Sequence, residues 1–253
     1  MAFEVAEIEA LTVTLDKVGP SAATSCPGWT AHHIAAHMAG NVEEARRHVD
    51  AWGAGTPLTG TRSFEEREEP LRELPFPELI HRIERDETAL EHDVNAAAAV
   101  SPDATLRWTG RTVPVSGLTT HMRSEAAVHR WDLVGDDDVS ATLLGQHALL
   151  QHAVEFIGRP LLVRGLVSPA TSGDPVEVRI AAREQPDHLV VRSSGGDGTI
   201  ALADPDARDA DVEADAAARL LMLWGRKPEP FNRVVALSGE ERLGRTQQLL
   251  SGY

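Results

Sequence analysis

The feature that most constrains the fold is a helical periodicity of apolar residues through the first 157 residues. Apolar side chains recur there at spacings of three and four, the pattern of a helix that buries one face. The stretches with this pattern are 8–18, 34–49, 80–94, 118–129 and 143–157. Thr30 is a candidate N-cap for the second of them. A segment rich in Gly, Pro and charge at 52–70 predicts a long crossover loop, so the pattern favours a four-helix bundle.

The texture of the sequence changes after Pro160. Residues 176–182 alternate apolar and polar side chains, residues 188–194 and 199–203 continue as short strands, and Gly195 to Gly198 offer a turn. Helical spacing returns at 211–224 and 240–250. We therefore predict an α+β fold with a helical bundle at 1–160 and a small C-terminal α+β domain at 161–253.

Charge and cysteine content exclude several classes of protein. The formal net charge is −15, from 39 acidic and 24 basic residues, and such a surface repels nucleic acid and anionic lipid. We find no apolar run long enough to cross a membrane, and the acidic N-terminus does not resemble a signal peptide. Cys26 is the only cysteine, which rules out an internal disulfide and a cysteine-rich zinc site. A cytoplasmic location is expected.

The candidate chemistry lies on two of the predicted helices. Glu125 and His129 are four residues apart, so on a helix they share one face at roughly 6 Å. They continue an apolar stripe that points into the bundle, where unpaired polar groups are costly. His37 lies on the apolar stripe of another helix. Two imidazoles and one carboxylate suit one zinc or non-haem iron ion with an open position, although a structural Glu/His pair remains an alternative.

Three segments of the chain resemble one known family. They are CPGWTAHHIAAHMAG, RWTGRTVPVSGLTTHMRSEAAVHRWD and LLMLWGRKP. Together they resemble the mycothiol-dependent maleylpyruvate isomerases, within the wider DinB-like metal-binding bundles. The resemblance implies an N-terminal four-helix bundle, a smaller C-terminal domain that covers the site, and zinc on His37, Glu125 and His129.

The resemblance also implies mycothiol, an actinobacterial thiol, as cosubstrate. Arg226 is similar in position to a C-terminal arginine that serves catalysis or substrate binding in the isomerases. The alternative is that it complements a helix dipole and forms a salt bridge. The implied substrate is a small electrophilic molecule or carboxylate, and the chain is expected to be a monomer or a homodimer.

Several reactions are compatible with such a site. A metal-stabilised thiolate could add to a cis double bond and then leave, which isomerises the substrate, or it could stay attached in a transferase. A hydrolase would use metal-bound water, and His121 is then a candidate general base or an outer-shell histidine. A non-enzymatic, metal-stabilised binding module is a further alternative. For Cys26 we favour packing over nucleophilic catalysis.

Overall fold

The computed structural model describes residues 6–166, 175–194, 196–205, 208–227 and 233–250. The chain divides into two compact units, Met1–Asp137 and Asp138–Tyr253. The first is mainly helical and the second contains a five-stranded sheet, which confirms the predicted α+β class. The domain boundary near residue 160, which marks the change of periodicity in the sequence, stays a prediction. The two compact units meet in sequence at Asp137 and Asp138, because the helices that follow residue 137 group with the sheet.

A four-helix bundle forms the body of the first unit. Its helices are α1 (Glu7–Val18), α2 (Ala31–Gly53), α4 (Phe76–Val100) and α5 (Gly117–Val134), with the short helix α3 (Phe64–Arg72) between α2 and α4. Helix α2 packs against α4, and α1 packs against α5. The predicted apolar stripes supply the core of the bundle, because Leu11, Ile34, Ile83 and Leu118 are fully buried.

Helix α3 corrects the predicted crossover loop, since residues 64–72 are helical. The helix begins at a capping box, in which the Glu66 backbone N–H donates to Ser63 Oγ and the Ser63 N–H donates to Glu66 Oε2. A Ser followed three residues later by Glu is a known sequence signature of a helix start. The signal was therefore present, but the Gly, Pro and charge content around it favoured a loop.

A short hairpin precedes α5 in the first unit. Strands β1 (Thr105–Trp108) and β2 (Arg111–Pro114) pair antiparallel around Thr109 and Gly110. Both turn residues have positive φ, 46° and 81°, as two-residue hairpin turns require. The sequence analysis did not predict this hairpin. It buries Trp108, whose ring contacts the rings of His48 and His121 edge-on.

The second unit combines helices with one mixed sheet. Its helices are α6 (Asp138–Leu144), α7 (His147–Ala153), α8 (Arg159–Leu166), α9 (Ala216–Leu223) and α10 (Glu240–Leu250), and a π-helical turn at Val154–Gly158 joins α7 to α8. Its strands are β3 (Val176–Ala182), β4 (Gln185–Ser194), β5 (Asp197–Ala203), β6 (Val212–Ala214) and β7 (Val234–Ala236). Among the described strands the sheet order is β5-β4-β3-β6-β7, with β3 and β6 parallel and the other neighbours antiparallel.

The antiparallel strands β3, β4 and β5 confirm the strands predicted for 176–203, whereas Gly195 of the predicted turn lies outside the described residues. The helix predicted for 211–224 is wrong at its start, because Val212–Ala214 is strand β6. Asp215 then caps α9, its side chain accepting from the Ala218 backbone N–H. No helix in the described part of the chain is long and apolar enough to cross a membrane.

Candidate metal centre

Three predicted side chains meet inside the first unit. His37 comes from α2, and Glu125 and His129 stand one turn apart on α5. Glu125 Oε2 lies 3.3 Å from His129 Nε2 and 3.7 Å from His37 Nε2. One donor atom from each residue lies within 4.8 Å of the others, and all three residues are buried. The structure thus brings together the donor set that the sequence suggested.

Each histidine is held from behind by a carboxylate. His37 Nδ1 donates to Glu68 Oε1 at 2.7 Å, and His129 Nδ1 donates to Asp132 Oδ2 at 3.0 Å. These bonds fix the ring orientation and leave each Nε2 directed at Glu125. A carboxylate behind a histidine is the usual support of a metal-ligating imidazole. The geometry therefore fits a divalent cation between the two Nε2 atoms and Glu125.

Glu68 and Asp132 were not among the predicted site residues. Asp132 follows His129 by three residues, so its contact could have been found from helical spacing. Glu68 lies on α3, the helix that the sequence analysis missed, and 31 residues from its partner. No local pattern signals such a contact.

The charge states follow from this packing. Burial alone raises the pKa of Glu125, but its hydrogen bond with His129 and its contacts with the His37 and His121 imidazoles outweigh burial and hold the pKa well below its usual range. Burial lowers the pKa of His129, but hydrogen bonds with Asp132, Cys26 and Glu125 raise it well above the usual value. Both shifts favour a charged Glu125 beside a protonated His129 when no metal is bound.

A polar chain leads from His37 towards α3. Asn41 Nδ2 donates to His37 Nε2 at 3.0 Å, and Arg67 Nη1 donates to Asn41 Oδ1 at 2.6 Å. The arginine thereby determines which end of the Asn41 amide faces the histidine. A cation on His37 Nε2 would replace the hydrogen bond from Asn41.

Two aromatic side chains flank the donor groups. The Trp29 ring stacks on His129 at 6.2 Å between centroids and lies 5.2 Å from the His37 ring. The Phe64 ring lies 5.7 Å from the His37 ring, and this residue is 49% exposed. The three donor groups, which we call the centre, thus have a half-exposed aromatic side chain beside His37.

His121 lies one turn before Glu125 on the same helix. Its Nε2 is 3.4 Å from Glu125 Oε1, and burial lowers the pKa of this histidine. A neutral imidazole at this position is compatible with orienting the carboxylate. The role of general base stays a prediction.

Cys26 lies closer to the centre than the packing interpretation suggested. Its Sγ donates to Asp132 Oδ2 at 3.2 Å, and Ser25 Oγ donates to Asp132 Oδ1 at 3.0 Å. The thiol is only partly buried. Cys26 and Asp132 are 106 residues apart, so sequence reasoning offered no signal for the contact.

Arg226 belongs to the second unit, just after α9. Its backbone N–H donates to Leu221 O at 2.9 Å and its Nη1 donates to Trp224 O at 3.0 Å. This position agrees with a helix-terminal arginine, and a role towards substrate stays a prediction. In the first unit, Arg123 pairs with Glu7 and Arg130 pairs with Asp137, so both form ion pairs.

Comparisons with known proteins agree with this fold. A crystal structure of the mycothiol-dependent maleylpyruvate isomerase aligns with a TM-score of 0.60 and 19% identity, over 92% of this chain and 90% of that one. A variant of that enzyme with histidine replaced by alanine aligns with a TM-score of 0.61, again at 19% identity, with the same coverage. At this identity the likeness establishes the fold alone.

No curated protein matches the sequence in a direct search. The family model described as the mycothiol maleylpyruvate isomerase N-terminal domain matches residues 2–134, more than half of the chain. The match spans the bundle and all three converging side chains. The chain therefore belongs to the mycothiol maleylpyruvate isomerase family, a family of enzymes.

Proposed function

We propose that this chain is a metal-dependent enzyme that activates a small thiol, mycothiol in the first instance, for addition to an electrophilic substrate. The observation that carries the proposal is the convergence of two carboxylate-supported histidines on one buried carboxylate. Family membership supports mycothiol as the thiol.

His37, Glu125 and His129 would hold the cation, with zinc as the first candidate. A bound divalent cation stabilises a thiolate or hydroxide at neutral pH and thereby supplies the nucleophile. Glu68 and Asp132 keep the imidazoles oriented and basic. Within the described residues, Glu125 shares such a close set of donor atoms only with His37 and His129. Three protein ligands leave a coordination position of the metal open, which supports a catalytic rather than a purely structural metal.

The reaction that follows from these roles begins with attack of the thiolate sulfur on an activated cis double bond. A C–S bond forms, and the electron pair moves onto the conjugated carbonyl. Rotation about the new single bond and cleavage of the C–S bond release the trans isomer and the thiolate. If the C–S bond persists and carbon takes a proton, the same first step gives a thiol transferase. Arg226 is our candidate to bind a substrate carboxylate.

The test combines metal analysis of the purified protein with calorimetric titration of mycothiol. We expect about one zinc per chain and mycothiol binding that disappears in His129→Ala, because this variant loses one of the three donors. His81→Ala, which removes an exposed histidine of α4, is the matched control. Full metal content in His129→Ala would refute the ligand assignment, and zinc without thiol binding would refute the thiol role.

A further inference from the structure

Arg67 is a buried arginine near the centre, and none of the described residues gives it an acidic partner. Only 5% of the residue is exposed. No carboxylate oxygen of the described residues lies within ion-pair distance of its guanidinium. A buried cation without a counter-ion is unfavourable unless a ligand supplies the opposite charge.

The neighbouring arginines differ from Arg67 in this respect. Arg62 pairs with Glu44 at 2.7 Å, and Arg72 pairs with Glu68 at 2.8 Å. Burial lowers the pKa of Arg67, although Glu44, Glu68 and Glu125 act against this shift from a longer range. Each of those carboxylates already has closer partners. The positive charge of Arg67 is therefore left for another group.

The guanidinium is held in one orientation. Its Nη1 donates to Asn41 Oδ1 at 2.6 Å, its Nε donates to the Ser63 carbonyl at 3.4 Å, and its carbon lies 4.7 Å from the centre of the Phe64 ring. None of the hydrogen bonds among the described residues uses Nη2. Arg67 Nη2 is not one of the fully buried polar atoms that lack a hydrogen-bond partner. Since it makes no hydrogen bond within the described residues, it retains some solvent-accessible surface.

The position of Arg67 also links it to the centre. Asn41 bonds to both Arg67 and His37, so one amide separates the guanidinium from a proposed metal ligand. Phe64 contacts both the His37 ring and Arg67. The half-exposed Phe64 ring therefore lies beside both the guanidinium and a proposed metal ligand.

We propose that Arg67 is an anion-binding residue that receives a carboxylate of the substrate beside the metal centre. The planar guanidinium would donate from Nη2 to a carboxylate oxygen, which satisfies the buried charge and fixes the orientation of the electrophile. The ligand class is a short carboxylic acid. This inference rests on the proposed function, because it assigns a further substrate-binding residue to the same site.

The test uses maleate, a short dicarboxylate, as the probe in calorimetric titrations. We expect maleate to bind the zinc-loaded wild type and to bind Arg67→Gln about tenfold more weakly or worse, the usual cost of losing a charged hydrogen bond. Arg67→Lys should bind with reduced affinity, since an ammonium lacks the planar fork. Arg67→Lys also tests the proposal if Arg67→Gln fails to fold.

Arg82→Gln is the matched control, since it removes an arginine of α4 that pairs with Glu78 away from the centre. It should bind maleate as the wild type does. Equal maleate affinity in the wild type and in a folded Arg67 variant, or no maleate binding by the wild type, would overturn the proposal. Titrations with zinc and mycothiol on the same samples test the proposed function separately. If the proposed function fails, the zinc or mycothiol binding is lost while maleate binding still depends on Arg67.

Discussion

Two buried glutamates of the bundle have opposite surroundings, although both lie beside histidines. Glu44 on α2 accepts hydrogen bonds from Arg47 at 2.6 and 2.9 Å and from Arg62 at 2.7 Å, and His48 Nε2 lies 3.3 Å away. Glu125 on α5 has only histidines within ion-pair distance among the described residues. The first carboxylate is neutralised permanently, and the second is neutralised only by exchangeable protons.

This difference separates a structural cluster from a candidate metal site with similar residue types. Arginine keeps its proton at any ordinary pH, so Glu44 has no need for a further cation. The histidines around Glu125 can release their protons, and their Nε2 atoms are then lone-pair donors. A divalent cation can therefore replace protons at Glu125, whereas it would have to displace arginines at Glu44.

The largest expected effect is on zinc affinity. Glu125→Gln should raise the zinc dissociation constant by more than the roughly 10- to 100-fold that loss of an outer-shell contact costs, because a charged donor is removed. Glu44→Gln should leave zinc affinity unchanged in the folded protein. Competition titration with a chromogenic chelator measures both. Equal zinc loss in the two variants would mean that the clusters do not differ as described.

The second effect is on the stability of the zinc-free protein, where Glu44→Gln should have a larger effect than Glu125→Gln. Glu44→Gln removes the carboxylate that Arg47 and Arg62 share, although Arg62 keeps Glu43 at 2.9 Å. It should lower the free energy of unfolding by about 1–3 kcal/mol, below the value for a fully buried pair because both arginines are about a third exposed. Glu125→Gln should lower the free energy of unfolding less, because the histidines beside Glu125 can lose a proton. Chemical denaturation after chelation gives both values, and a larger loss in Glu125→Gln would contradict this ranking.

The smallest effect concerns pH. The pKa of His129 in the zinc-free protein lies well above its usual value, so zinc must displace a proton, and its apparent affinity should fall by up to about tenfold per unit as pH drops below that pKa. Calorimetry in buffers of different ionisation enthalpy counts the released proton. Zinc binding without proton release would show that His129 is neutral before the metal arrives.

The same His129 proton stabilises the zinc-free fold. Because the folded pKa is raised, this contribution is complete below the unfolded value of 6.5 and is lost as pH rises through the folded pKa. Glu44 behaves in the opposite way. Burial raises its pKa, but the contact with His48 and the hydrogen bonds from Arg47 and Arg62 lower it far below 4.5, so its contribution is complete above 4.5 and is lost as pH falls through the folded pKa.

Much of the bundle was predictable from local spacing, and so was the pair on α5. Glu125 and His129 share a face in any helix, and the apolar stripe around them indicates that this face turns inward. The capping box at Ser63 and Glu66 could have revealed α3, and the turn at Thr109 and Gly110 could have revealed the hairpin. These failures were errors of interpretation rather than limits of the sequence.

The sequence by itself determined which helices have polar groups on buried faces, because that depends only on residue order and helical period. Tertiary structure alone decided which of those groups have a permanent counter-ion. Glu68 reaches His37 across 31 residues, and Arg67 reaches Asn41 across 26. Such contacts depend on how α3 seats against α2, and electrostatic energy depends on distance in space. The difference between the partners of Glu44 and those of Glu125, and the lack of a carboxylate beside Arg67 within the described residues, therefore appear only when the helices are packed.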